Sequence, residues 1–350
     1  MKIREPNYYS SFRCAAGDCP DTCCHMWEVV IDETTRRYYE SLPGELGDFV
    51  RSCLYTDEDG DCCMRSINGS CSMLLESGLC RLQKELGEEA LSQVCDRYPR
   101  FFHSFGALTE RGISLSCPVA CGLILDTPFT LCESLNSDPP DLNDIDPDLY
   151  FALLRGRETA FRIAEDGRFS VRERMALLLS FAEELDDALW DAEAVLNDWG
   201  SAESLPQKLE ALRPSRRSDF GKLVSLWKEM EPLTERWPQL LQRLERPMPL
   251  PDPVTEQRLL QYFLYKYFLQ AAYDGKLLKK VQLTAAALLM CGALFHAEQP
   301  HAREEEIDLL HLFSRELEHS EPNLAVFYRW AGRRRQYLLR SLLLQQEKTG

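Results

Sequence analysis

The 350-residue chain carries 14 cysteines, yet no C-x2-C knuckle occurs anywhere in it. It also contains no G-x-G. The Gly-rich turn of a Rossmann-type cofactor site is therefore missing, and with it the main argument for an α/β sheet. No apolar run reaches the roughly 18 to 20 residues that span a bilayer. The longest, VQLTAAALLMCGALF at 281–295, reads as a buried helix. The opening residues, MKIREPNYYSSFRC, lack the apolar stretch of a secretory signal, so a cytoplasmic protein without a membrane partner is expected. Histidine is scarce at six residues. His296 and His301 stand five apart, not at the helical four-residue spacing of a zinc protease, and His311 and His319 read as surface or core residues. There is no internal repeat and no low-complexity tract.

Charge is present but unevenly spread. Residues 1–150 hold 12 Lys and Arg against 26 Asp and Glu, a balance of −14, while residues 151–350 contribute −2 of the total −16. An acidic half repels nucleic-acid phosphates and weakly attracts a basic, lysine-bearing surface. The cluster TDEDGD, with Asp57, Glu58, Asp59 and Asp61, is the candidate steering patch; its plainer reading is a solvated loop.

The pattern of the chain changes near NSDPPDLNDIDPD (136–148), a stretch rich in Pro, Asp and Asn that reads as a linker. Before it lie short extended pieces such as WEVVID and turn signals such as EDGD and INGS. After it the periodicity is helical. Ser170-x-x-Glu173 is a capping box opening SVRERMALLLSFAEELDDALW. Asp252 is an N-cap followed by Pro253 in the first helical position, with Gly275 just past the helix end. EPNLAVFYRWAGRRRQYLLRSLLLQQ predicts one last long helix running through Gly332. The expectation is a mainly α protein: a Cys-rich metal-binding module with short strands or irregular structure at 1–135, a linker at 136–148, and an all-helical domain at 149–350.

Thirteen of the 14 cysteines fall between Cys14 and Cys132. In a reducing compartment such density favours metal over disulfides. The spacing is Cys14-x4-Cys19-x3-Cys23-Cys24, then Cys71-x8-Cys80, Cys95 and Cys117-x3-Cys121. Thiolates bind zinc or iron–sulfur clusters, and the loose spacing without knuckles favours the larger cluster modestly over a single zinc ion.

Three linked motifs carry a resemblance. CAAGDCPDTCCHMWEVVID, GLCRLQKELGEEALSQVCDRYPR and SLSCPVA together resemble the flagellin lysine-N-methylase family, FliB, and LLQYFLYKYFLQAAYDGKLL looks like that family's C-terminal half. The resemblance implies transfer of methyl groups from S-adenosylmethionine to lysine ε-amines of flagellin, with an iron–sulfur cluster, expected as [4Fe–4S], held by cysteines. Carried over onto this chain, the ligand candidates are Cys14, Cys19, Cys23, Cys24, Cys71, Cys80, Cys95 and Cys117. These exceed the four a single [4Fe–4S] cluster takes, so either some are packed thiols or there are two centres. Cys121 is a possible substitute ligand; Cys53, Cys62, Cys63, Cys132 and Cys291 match no family motif.

Methyl transfer to an amine needs a deprotonated lysine and an in-line donor. The radical C-x3-C-x2-C triad is begun at Cys19 and at Cys117, but Met26 and Ile124 stand in the third places, which favours polar transfer. Trp27 is a candidate to stack on the donor's adenine, or else a core residue. Tyr98 is a candidate to orient or deprotonate the lysine, and Arg100 to bind the donor carboxylate; alternatively Tyr98-Pro99-Arg100 simply turns the chain after Cys95. The rival readings are a zinc- or iron-chelating module without catalysis, and an iron–sulfur redox protein.

Overall fold

The computed structural model describes residues 2–25, 29–136, 145–214 and 216–345. Among the described residues the nine strands are all short: β1 (Lys2–Pro6), β2 (Val29–Val30), β3 (Leu54–Thr56), β4 (Cys62–Met64), β5 (Ser66–Ile67), β6 (Ser70–Cys71), β7 (Arg100–Phe105), β8 (Leu108–Ile113) and β9 (Leu131–Leu135). Everything described from Pro147 onward is helix, turn or connection, so the protein is mainly α with a Cys-rich, short-stranded N-terminal part.

The largest sheet runs β7-β8-β1-β9. β1 lies parallel to β8, with Ile3 opposite Thr109, and antiparallel to β9, with Ile3 opposite Ser134. Its back is sealed onto the helices by a buried ion pair. Arg157, from the helix Pro147–Ala164, reaches both carboxylate oxygens of Glu110 on β8, at 2.6 and 2.5 Å. The second sheet, β2-β4-β3, and the β5–β6 ribbon form a separate small lobe. The ribbon turns at Asn68-Gly69, whose φ values of +52° and +77° are what a tight two-residue hairpin demands. The TDEDGD cluster is the hairpin turn between β3 and β4: the Asp57 carboxylate accepts the amides of Asp59 and Asp61 at 3.0 and 2.8 Å.

Two hydrophobic cores result. The large one joins the helices to Tyr8, Phe12, Ile113, Leu115 and Cys117 of the N-terminal part. The small one gathers Val29, Ile31, Tyr39, Val50, Met64, Met73 and Leu82. Leu277–Glu298 has the length and composition of a membrane span, but 94% of its apolar window is covered by the rest of the chain, so it is the central core helix.

The capping signals act as local chemistry requires. Ser170 and Glu173 exchange their hydrogen bonds, and Asp252 accepts the amides of Val254 and Thr255, each at 3.0 Å. Gly275, left-handed at φ +64°, ends that segment after a 3-10 turn at Phe268–Gln270. Asp146-Pro147 repeats the Asp-Pro cap, so a helix begins inside the stretch read as linker; 137–144 lie outside the described residues. The last helix is not continuous. It breaks into Glu321–Trp330 and Arg333–Leu344 at Gly332, whose φ of +150° is open to glycine. The side chain of Gln282 accepts the Gly332 N–H at 2.8 Å and donates to its carbonyl at 3.0 Å, so both backbone groups of Gly332 are satisfied at the break.

Burial beside Lys266 holds the His103 imidazole down at about 4, so it is neutral in the folded state. The unfolded chain takes up this proton near its ordinary 6.5 and the folded chain only near 4. The neutral ring's contribution is thus complete above pH 6.5 and is lost as pH falls toward 4. Urea midpoints measured across this window should decline with pH, and His103→Gln should flatten the slope. An unchanged slope would place the acid sensitivity elsewhere.

Candidate metal centre

The cysteine-bearing loop starts where Phe12 leaves the large core. A 3-10 turn, Ala16–Asp18, curls it so that the Cys14 sulfur accepts the Ala16 amide at 3.3 Å. The Cys19 thiol donates to the Asp21 carbonyl at 3.2 Å, and the Cys24 amide donates to the Thr22 hydroxyl at 3.2 Å. Arg315, on the helix Arg303–Glu318, clamps the loop from outside, donating to the Asp21 carboxylate at 2.7 Å and the His25 carbonyl at 2.9 Å. The loop meets the turn around Gly78 closely: a Cβ at Gly78 would lie 3.3 Å from the Gly17 carbonyl, and its φ is +78°.

The other cysteines arrive on separate elements. Cys71 ends β6, Cys80 caps the helix Arg81–Leu86, Cys95 lies in Gln93–Arg97, and Cys117 caps Pro118–Asp126. All of them face one cavity of about 400 Å³, which the side chains of Cys14, Cys19, Cys23, Cys24, Cys71, Cys80, Cys95 and Cys117 line together. Tyr98 and Arg100 line it too. Trp27 lies outside the described residues. Cys121 does not line the cavity: it is fully buried in the large core behind Cys117. Cys53, Cys62, Cys63, Cys132 and Cys291 also lie away from it.

The thiols affect one another strongly. Burial pushes Cys71 up to about 12, and Cys95 and Cys117 up to about 11. Neighbouring sulfurs add to this, because one thiolate repels the next. Cys24 goes the other way: the hydrogen bond from Cys23 holds it at about 6, and raises Cys23 in turn. Such a set of soft donors fits a thiophilic metal centre, which deprotonates coordinating thiols and cancels the repulsion between the resulting thiolates. Among the described residues, no three His, Cys, Asp or Glu side chains converge tightly enough to hold a single ion. The sulfurs surround a larger space.

Beside the sulfurs the cavity is apolar, with Phe12, Ile31, Met73 and Leu82 in its wall. The Tyr98 hydroxyl donates to the Ser116 carbonyl at 2.7 Å, and burial raises its pKa, so it stays protonated. Arg100 donates to the Asp96 carbonyl at 3.1 Å and lies 5.0 Å over the Phe12 ring. Glu88, Leu91 and Asp96 continue from the cavity wall into an adjoining groove with Glu89 and Gln93. The acidic residues nearest the thiols are therefore Asp21, Glu88 and Asp96, while the TDEDGD turn lies elsewhere. Sequence reasoning missed the Arg315 clamp: it stands 294 residues from Asp21, in a helix whose charge pattern looks like any solvated face.

Residues 157–343 match the family model described as FliB lysine N-methylase C-terminal domain. The flagellar biosynthetic protein FliU of Salmonella muenchen is 31% identical over 134 residues, covering 37% of this chain and 79% of the relative. The lysine-N-methylases of Salmonella typhimurium and Salmonella choleraesuis are each 31% identical over 140 residues, 38% of this chain. That match spans only 35% of their own length. No solved structure matches.

Proposed function

The chain belongs to the FliB lysine N-methylase family, and from that membership we propose that it methylates lysine ε-amines of flagellin, using S-adenosylmethionine as donor and an iron–sulfur centre held by the cavity cysteines. The observation that carries this reading is the meeting of the eight cysteines with Tyr98 and Arg100 around one cavity. The density of cysteines suits a reducing cytoplasm as the place of action.

The chain's own residues account for much of the chemistry. A lysine entering an apolar cavity loses solvation of its ammonium, which lowers its pKa and favours the neutral nucleophile. Tyr98, with its proton committed to the Ser116 carbonyl, offers its oxygen lone pairs to orient the amine rather than a phenolate to deprotonate it. Arg100, which lines the cavity, would pair with the donor's carboxylate. An iron–sulfur centre, when bound, supplies bracing for the cavity walls and a Lewis-acidic iron for the donor's amino and carboxylate groups. Water exclusion falls to Phe12, Ile31 and Met73.

Co-expression with flagellin should add mass to flagellin in steps of one methyl group on lysines. Unchanged intact-mass spectra, with metal bound, would leave a chelating module without catalysis as the reading. The groove adds a second expectation. Neutralising Glu88, Glu89 and Asp96 to their amides should raise KM for flagellin several-fold and weaken its salt dependence, since acidic groups at the cavity mouth attract a lysine-rich surface over about 8 Å at physiological salt. Neutralising Asp57, Glu58, Asp59 and Asp61 should leave KM unchanged, and the reverse pattern would assign steering to the hairpin turn.

A further inference from the structure

A line of hydrogen bonds leaves the cavity wall at Tyr98 and ends on a histidine from the far end of the chain. The Tyr98 hydroxyl, which donates to the Ser116 carbonyl at 2.7 Å, also stands 3.2 Å from the Ser116 Oγ. Ser116 is 1% exposed and does not line the cavity. Its Oγ lies 2.5 Å from the Nε2 of His319, the residue that follows the helix Arg303–Glu318. The His319 ring packs 5.5 Å from the Tyr98 ring.

The single proton of the Ser116 hydroxyl has three acceptors in reach: His319 Nε2, Ser114 Oγ at 3.1 Å and the Tyr98 oxygen at 3.2 Å. Ser114 is a poor choice. Its two lone pairs already face the Lys266 ammonium at 3.4 Å and the Ser116 amide at 3.5 Å. Lys266 is itself fixed there, donating to Glu318 at 2.8 Å and to the Tyr262 hydroxyl at 3.1 Å. The choice therefore lies between His319 and Tyr98. Burial of the His319 ring, with Lys266 and Arg315 nearby, outweighs Glu318 and lowers its pKa to about 4, so the ring is neutral. With its proton on Nδ1, a neutral imidazole accepts at Nε2. Ser114 also lies within 3.4 Å of this nitrogen, but Ser116 is much nearer.

We propose that His319 is a positioning residue for methyl transfer: it takes the Ser116 hydroxyl proton, so the Tyr98 oxygen faces the cavity as an acceptor alone. The inference rests on the reading of Tyr98 as the group that orients the lysine amine. A tyrosine oxygen has two lone pairs, and a Ser116 hydroxyl turned toward it would compete with the amine for them. An amine N–H held by Tyr98 binds more strongly as its nitrogen gains positive charge in the transition state. The effect of His319 therefore falls on kcat, while the acidic groove governs KM.

The test measures methylation of flagellin by the full chain, purified anaerobically, with S-adenosylmethionine as donor. His319→Ala should lower kcat roughly 3- to 10-fold, the weight of one hydrogen bond, and leave KM for flagellin unchanged. His319→Gln, whose amide oxygen can accept from Ser116, should recover most of the loss. Adding Ser116→Ala to His319→Ala should recover it too, because the competing hydroxyl is gone; a merely structural histidine would show a further loss. In a Tyr98→Phe background, His319→Ala should cost nothing more. Should His319→Ala fail to fold, His319→Lys, which can only donate, carries the same expectations. An unchanged kcat in the His319 variants, beside a clear loss in Tyr98→Phe, would overturn the positioning role and leave the reading of Tyr98 standing. No loss in Tyr98→Phe would overturn both.

Discussion

Arg157→Ala should destabilise the protein by about 3 to 5 kcal/mol, the range for removing one partner of a buried ion pair. The cause lies in what remains. Glu110 is 1% exposed and Arg157 3%, so the carboxylate left behind would be buried with only Arg4, at 3.2 Å, to balance it. The pair also joins two structural levels: Glu110 sits on β8, beside the strand that carries Arg100, and Arg157 projects from the first helix after the sheet. Losing the pair should therefore loosen the sheet from the helices as well as lower stability. Urea unfolding followed by far-UV circular dichroism measures the loss. Replacing both residues with apolar side chains of similar size should recover most of it, because the cost comes from the stranded charge rather than the lost attraction. A loss below about 1 kcal/mol for the single variant would mean that Arg4 compensates Glu110 unaided.

Some of this architecture was readable from the sequence because its causes are local. The Ser170–Glu173 box and the Asp252-Pro253 cap depend on side chains three residues or fewer from the amides they satisfy. The Asn68-Gly69 turn needs only two residues able to adopt positive φ. The cysteines were legible as a group since 13 of the 14 crowd between Cys14 and Cys132. Elements settled by distant partners were not legible. Gly332 looked like a tolerated glycine within a helix, and its break depends on Gln282, 50 residues away. The parallel pairing of β1 with β8 joins segments more than 100 residues apart, and neither carries a pattern that names the other. The steering patch was sought where acidic residues are densest, but their density at the β3–β4 turn serves the turn: Asp57 spends its carboxylate on backbone amides. The acidic residues of the groove come from two short helical turns, Glu88 and Glu89 from one and Asp96 from the next, and only folding assembles them beside the cavity.

On the proposed reading, stripping metal from the cavity should abolish methyl transfer and selectively unfold the small lobe. The two cores differ greatly in self-sufficiency. The large one is a continuous helical mass closed around Leu277–Glu298, whereas the small one rests on a few residues such as Val50, Met64 and Met73 among two- and three-residue strands. A core that small seldom holds a fold without a metal or another crosslink. Three cavity cysteines, Cys71, Cys80 and Cys95, pack against this lobe's core and line the cavity, so binding of the proposed metal there would also be folding energy for the lobe. Structural zinc in small peptides contributes about 10 to 16 kcal/mol, against the roughly 3 to 5 kcal/mol that a single core of this size generally supplies. Hydrogen exchange with and without chelator reads the outcome segment by segment. Amides of β2 to β4 and of Arg81–Leu86 should exchange at least about 100-fold faster in the stripped protein, each tenfold being about 1.4 kcal/mol of lost local stability. Amides of Leu277–Glu298 should keep their protection, because their core contains none of the ligands except Cys117. Equal protection of the lobe in both states would show that its fold does not depend on metal, and the cavity thiols would then need another explanation.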